Sequence, residues 1–134
     1  YEDWRKDAGL KPVAIERSVW SLEHGYAGTI DLYGETSFGT SVLDWKTGKN
    51  IYPEAKLQNA AYVAAAIERG LTTPPVHGLI VRLPKVETDP AFEVCHIRPD
   101  EMAELLETFL SVKRLWTWLE EQRFPEVPKD EVSV

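Results

Sequence analysis

Between residues 47 and 53 the chain changes its hydrophobic period, and that change decides which folds are open to it. From Pro12 onward Val13, Ile15 and Val19 fall on one side of a period-two pattern and Glu16, Ser18 and Trp20 on the other, the signature of a strand. Turn chemistry at Glu23-His24-Gly25 and again from Gly34 to Gly39 sets off a second strand over 26–33 and a third over 40–46. Thr47-Gly48-Lys49-Asn50 and Pro53 then end the alternation. Residues 54–69 are alanine-rich, with Leu57 and Ile67, and Gly70 stands where a helix would stop. Three strands joined by short turns favour an antiparallel meander, here leading into a helix.

The second half supplies the remaining layers. Strands are expected over 76–83 and 92–97, with Phe92, Val94 and His96 alternating. Asp100 offers an N-cap for a long helix through about Gln122. Its Met102, Leu105, Leu106, Phe109, Leu110, Val112, Trp116 and Leu119 recur at helical spacing as one broad apolar face, with Trp116 expected in the core and Trp118 as an exposed contact. Residues 1–9 read as the last turns of a helix stopped by Gly9. The order is therefore (α)βββ-α-ββ-α, an α/β fold with a mixed sheet flanked by helices. At 134 residues the chain is expected to form one domain over 1–124, lacking an N-terminal segment, with 125–134 as a mobile tail.

Composition removes whole classes of function. A single cysteine, Cys95, excludes a disulfide framework, a cysteine-built zinc site and a four-cysteine iron–sulfur cluster within these residues. Cys95 itself reads as a small buried hydrophobe. Adjacent Cys95 and His96 point to opposite faces of a strand and cannot share a metal. No apolar run approaches the roughly 20 residues that span a bilayer, which argues against a membrane protein. The net charge of −7 argues against a simple basic nucleic-acid clamp but leaves room for a metal site built from carboxylates. His24 reads as a turn residue, and His77, after Pro74-Pro75, as having no chemical role. Thr47-Gly48-Lys49 is in the wrong order for a phosphate-binding loop and lacks the earlier glycine.

Three short signals carry the chemistry: Gly28-Thr29-Ile30-Asp31, then Asp44-Trp45-Lys46, then Gln58-Asn59-Ala60-Ala61-Tyr62. Val42, Asp44 and Lys46 share one face of the third strand, and Asp31 lies where the second strand can bring it beside Asp44. Two carboxylates so close repel unless a proton or a cation sits between them. Mg²⁺ or Mn²⁺ suits such oxygen donors and would acidify a bound water. Lys46 would then orient that water or stabilise developing charge, and Glu16 is a further candidate ligand or base. Gln58 and Tyr62, four apart, share a helical face, while Ala60 and Ala61 let the helix approach the sheet.

In this order and at this spacing, G-T-I-D, D-W-K-T-G and Q-N-A-A-Y resemble the PD-(D/E)XK nuclease superfamily, most closely its RecB-type exonuclease branch. The resemblance runs from Val13 to Ala66. It implies Asp31 and Asp44 as metal ligands, the backbone carbonyl of Trp45 as a third, Lys46 as the catalytic lysine and Glu16 as the acidic residue preceding the G-x-x-D strand. Gln58 and Tyr62 match the Q-x-x-x-Y motif that contacts substrate. The fold implied is restriction-endonuclease-like. The activity implied is Mg²⁺- or Mn²⁺-dependent hydrolysis of DNA, of phage or bacterial recombination and repair type, in the cytoplasm. Lys46, Lys49, Lys56, Arg82 and Lys85 would meet the DNA backbone. A further metal-ligating histidine is common in that branch on an N-terminal helix, and no histidine precedes Glu16 here. A catalytically inactive nuclease-like module that binds nucleic acid or a protein partner remains the second reading. A glycoside hydrolase, which needs no lysine beside its carboxylates, is the weakest.

Overall fold

The computed structural model describes residues 11–47, 51, 53–83 and 93–123, with only the backbone for 11–15. The expected helix over 1–9, the tail over 125–134, Lys49 and Lys85 lie outside the described residues. Strands β1 (Lys11–Ser21), β2 (Tyr26–Thr36) and β3 (Gly39–Lys46) precede helix α1 (Pro53–Glu68). Strands β4 (His77–Arg82) and β5 (Glu93–Ile97), a 3₁₀ turn (Pro99–Glu101) and helix α2 (Met102–Arg123) complete the order. The five strands form one sheet in the order β1-β2-β3-β4-β5. All neighbours pair antiparallel except β3 and β4, which α1 connects in parallel. The mixed α/β architecture is the expected one.

Alternation places the core. Val19, Ile30 and Val42 of the sheet and Val63, Ala65 and Ala66 of α1 form one buried cluster with Val76. Leu32, Leu43 and Leu79, with Trp45 against them, form another that includes no residue of α1. Neighbours Val42 and Leu43 thus serve different clusters, as a period of two requires. Helix α1 ends as its sequence suggests. Gly70 takes a φ of 74°, and Leu71 N–H donates to the Ala66 carbonyl at 2.9 Å, closing a Schellman turn that a Cβ at this φ would strain.

Three expectations are corrected. The cap before α2 is not Asp100: Arg98 is the N-cap residue of the 3₁₀ turn, and its N–H donates to the Glu101 carboxylate at 2.8 Å. Pro99 at the first helical position moves the start of the turn upstream of Asp100. Trp116 is not core but 63% exposed, and Val112, Leu115 and Leu119 are exposed with it. Cys95 is half-buried rather than fully buried. His77, for which no chemical role was expected, is hydrogen-bonded through Nδ1 to His96 Nε2 at 2.8 Å, and Phe38 stacks on His96 at 4.1 Å. Burial, then the charge of His96, hold the His77 imidazole below its usual value.

The end of α1 is tied to the β1–β2 turn through Glu68. Its carboxylate accepts from Ser21 Oγ at 2.7 Å, Leu22 N–H at 2.8 Å and Arg69 Nη2 at 2.8 Å, and these donors, Ser21 first, hold it down at about 2. A carboxyl whose folded value lies below the ordinary 4.5 stabilises the fold above that pH, and the contribution is lost as pH falls through about 2. Glu68→Gln is therefore expected to be less stable than the parent at pH 7. Urea unfolding at a series of pH values should show the two curves converging toward pH 2. A constant gap down to that pH would assign the difference to packing instead.

Candidate active site

The site forms where β2 and β3 part. Their last paired residues are Leu32 and Leu43, so the next step of the same register sets Asp31 opposite Asp44. Beyond it the ladder is interrupted: Trp45 N–H donates to Asp31 Oδ2 at 2.8 Å, a side chain taking the place of a strand carbonyl. The strict alternation of β2 breaks here as well, since Ile30 and Tyr33 both join the cluster under α1 while Leu32 joins the other. On β1, Ile15 pairs with Leu32 and Arg17 with Ile30, which sets Glu16 opposite Asp31. Glu16 is exposed and takes a φ of 50°, rare for a side chain with a Cβ. Glu16 thus occupies the neighbouring strand position, but among the described residues no three His, Cys, Asp or Glu side chains gather as a metal-holding group.

Asp44 is 2% exposed. Burial pushes its carboxyl up, a bond from Asn59 and the charge of Lys46 pull it down, and the charge of Asp31 pushes it up again. Asn59 supplies what the sequence did not reveal. It is fully buried on α1, and its Nδ2 donates both to Asp44 Oδ2 at 3.0 Å and to the Val42 carbonyl at 3.2 Å. With both amide protons spent on acceptors, Asn59 Oδ1 has no partner and faces Gly78, where a Cβ would come within 2.0 Å of it. In the sequence Asn59 was only a spacer between Gln58 and Tyr62.

Gln58 and Tyr62 do meet the site. Lys46 Nζ donates to Gln58 Oε1 at 3.0 Å, so the helix positions the ammonium group two residues beyond Asp44. Tyr62 lies over Gly28: a Cβ there would stand 2.2 Å from the ring at Cε1. The glycine of G-T-I-D is the gap into which this ring fits. Burial, then the charges of Asp44 and Asp31, push the Tyr62 hydroxyl up. The phenol therefore stays protonated beside two carboxylates and can donate. Arg82, expected to meet DNA, is instead fully buried, and its Nε donates to Glu93 at 3.1 Å. It sits on β4 between Lys46 of β3 and Glu93 of β5, inside the sheet rather than on the surface.

The donor set suits a hard divalent ion. Two opposed carboxylates, one of them buried, repel one another, and a cation between them would offset that repulsion. Asp31, Asp44 and the adjacent Trp45 carbonyl are the oxygen donors that could hold it. The backbone register supports the first two, and Lys46 stands on the same strand. A family model described as the PD-(D/E)XK nuclease superfamily matches residues 1–131. No curated protein matches the chain.

Proposed function

Because the chain belongs to the PD-(D/E)XK nuclease superfamily, whose members are generally divalent-metal-dependent nucleases, we propose that it is a metal-dependent DNA exonuclease of the RecB-type branch. Its setting would be phage or bacterial recombination and repair. The observation that carries the reading is the register that opposes Asp31 to Asp44 with Lys46 tied to Gln58 beside them. A divalent ion bound there would supply positive charge for a phosphodiester oxygen and lower the pKa of the attacking water. Asp31 and Asp44 would hold the ion, with the Trp45 carbonyl as a third donor and Glu16 next to them on β1. Lys46, anchored by Gln58, places a cation where negative charge develops on the phosphorus oxygens. Protonated Tyr62 donates to the substrate from the helix side, exposed Lys56 on α1 adds positive charge for the DNA backbone, and Lys49 is assigned to substrate on its sequence position alone.

Titration calorimetry with Mn²⁺ tests the proposal without requiring turnover. The parent is expected to bind Mn²⁺ and the Asp31→Ala/Asp44→Ala variant to bind none. Binding of equal strength by both would remove the carboxylate site from the account. No binding by either would shift the reading to an inactive nuclease-like module.

A further inference from the structure

On that reading rests a more specific one: we infer that a cleft between β1 and the end of α1 holds a phosphate of the substrate strand outside the carboxylate site. The cleft encloses about 360 Å³ and is lined by Arg17, Ser18, Trp20, Arg69 and Gly70. Its place is set by the register. Arg17 pairs with Ile30, one step along β1 from Glu16 and hence from the position opposite Asp31. Arg17 also shares the alternation of Val19, which packs under α1, and of Ser21, which bonds Glu68 of α1. It therefore stands on the side of the sheet where Asp44 meets Asn59. From Arg17 to Trp20 the strand advances roughly 10 Å, the axial length of about three nucleotides in a duplex strand.

The chemistry of the cleft is that of a phosphate receptor. Arg17 is exposed and, among the described residues, forms no ion pair. Arg69 is held rather than free to swing: Nη2 bonds Glu68 at 2.8 Å and its guanidinium lies 5.1 Å from the centre of the Trp20 ring. Its Nε is buried and has no hydrogen-bond partner, which leaves the guanidinium one acceptor short. The nearest acid, Glu68, spends its oxygens on Ser21, Leu22 and Arg69, while Glu16 is exposed at the other end toward Asp31. Trp20 is 43% exposed, enough to stack a base or cover a sugar beside the phosphate. At Gly70 a Cβ would meet nothing within 4 Å, so the backbone leaves open room for a chain to pass. In a chain of net charge −7, two arginines converging on one cleft beside the carboxylates mark where a polyanion can approach.

A labelled 12-nucleotide single strand, followed by fluorescence anisotropy in EDTA so that nothing is cut, tests the inference. The parent should bind with steep salt dependence. Arg17→Gln/Arg69→Gln should bind at least tenfold more weakly near 0.1 M salt, with a log–log salt slope shallower by about 0.7, the value for one phosphate no longer neutralised. Arg17→Gln alone, a change at an exposed strand position, should give about half that slope change, which keeps the test valid if the double variant folds poorly. Retained Mn²⁺ binding certifies the fold of each variant. Unchanged affinity and slope in both variants overturn the cleft and leave the nuclease reading standing. No binding of the strand by the parent overturns the cleft, while the nuclease reading stands or falls with its own Mn²⁺ titration. Displacement of the strand by equimolar inorganic phosphate would assign the cleft to a free anion and overturn the inference.

Discussion

Asp44→Asn is expected to abolish divalent-metal-dependent cleavage of DNA and, in the absence of metal, to raise the melting temperature by a few degrees. Both effects come from one arrangement. Asp44 is 2% exposed, its charge is opposed by Asp31, and among the described residues Asn59 and Lys46 compensate it. A buried carboxylate that lacks its cation costs stability, and an amide of the same shape removes that cost. Asn59 Nδ2 can still donate, because the replacement keeps an oxygen where Asp44 Oδ2 accepts. The side chain that loses least as a structural element is thus the one on which the proposed chemistry depends most, the trade expected of a functional site. The measurements are cleavage of end-labelled linear DNA with Mg²⁺ or Mn²⁺, and thermal melts with and without Mn²⁺. The parent should gain stability on adding Mn²⁺ and the variant should not. Cleavage retained within tenfold would remove Asp44 from the mechanism, and a lower metal-free melting temperature would show its charge to be stabilising.

What the sequence made legible was everything that repeats. The period of two gave β1 to β3, Gly70 gave the end of α1, and the distances between Asp31, Asp44, Gln58 and Tyr62 put each on the element that the structure assigns it. What it hid was everything that depends on which surfaces are covered. The pattern from Met102 to Leu119 correctly gives an apolar helix face, yet α2, at 22 residues, outruns the 16 residues of α1. At 1.5 Å per residue the excess is about 9 Å. Leu106, Phe109 and Leu110 are partly covered, Phe109 meeting Tyr26 edge-on at 5.1 Å, while Val112, Leu115, Trp116 and Leu119 stay exposed. Arg82 was misread for the same reason in reverse: a cation at a strand end looks solvent-facing, and its burial is set by neighbours far along the chain. Asn59 was invisible as a functional residue because a helical asparagine between Gln58 and Ala60 carries no local sign of burial. Its tell was on another strand, at Gly78.

That glycine yields the largest stability effect expected outside the site's charges. Gly78→Ala should destabilise the fold by about 3 kcal/mol, at the upper end for an overpacked core position. The built Cβ would stand 2.0 Å from Asn59 Oδ1 and 3.0 Å from both Asn59 Cγ and Met102 Cε. The Met102 side chain can yield, being flexible. Asn59 cannot, because both of its amide protons are engaged by Val42 and Asp44. Any shift that relieves the clash therefore strips a donor from a buried carboxylate or a buried carbonyl, and each such loss costs about 1–3 kcal/mol. For a chain of this length the melting temperature should fall by about 10 °C. Two readouts separate this mechanism from generic crowding. In Gly78→Ala, Mn²⁺ affinity should drop with the stability, because Asp44 loses the group that orients it. In Gly78→Ala/Asn59→Ala, which removes the obstructing amide, the loss of stability should fall short of the sum of the two single losses while Mn²⁺ binding stays weak. If the single alanine variant melts within about 2 °C of the parent, the contact between β4 and α1 is looser than this packing requires, and Asn59 is not what fixes the orientation of Asp44.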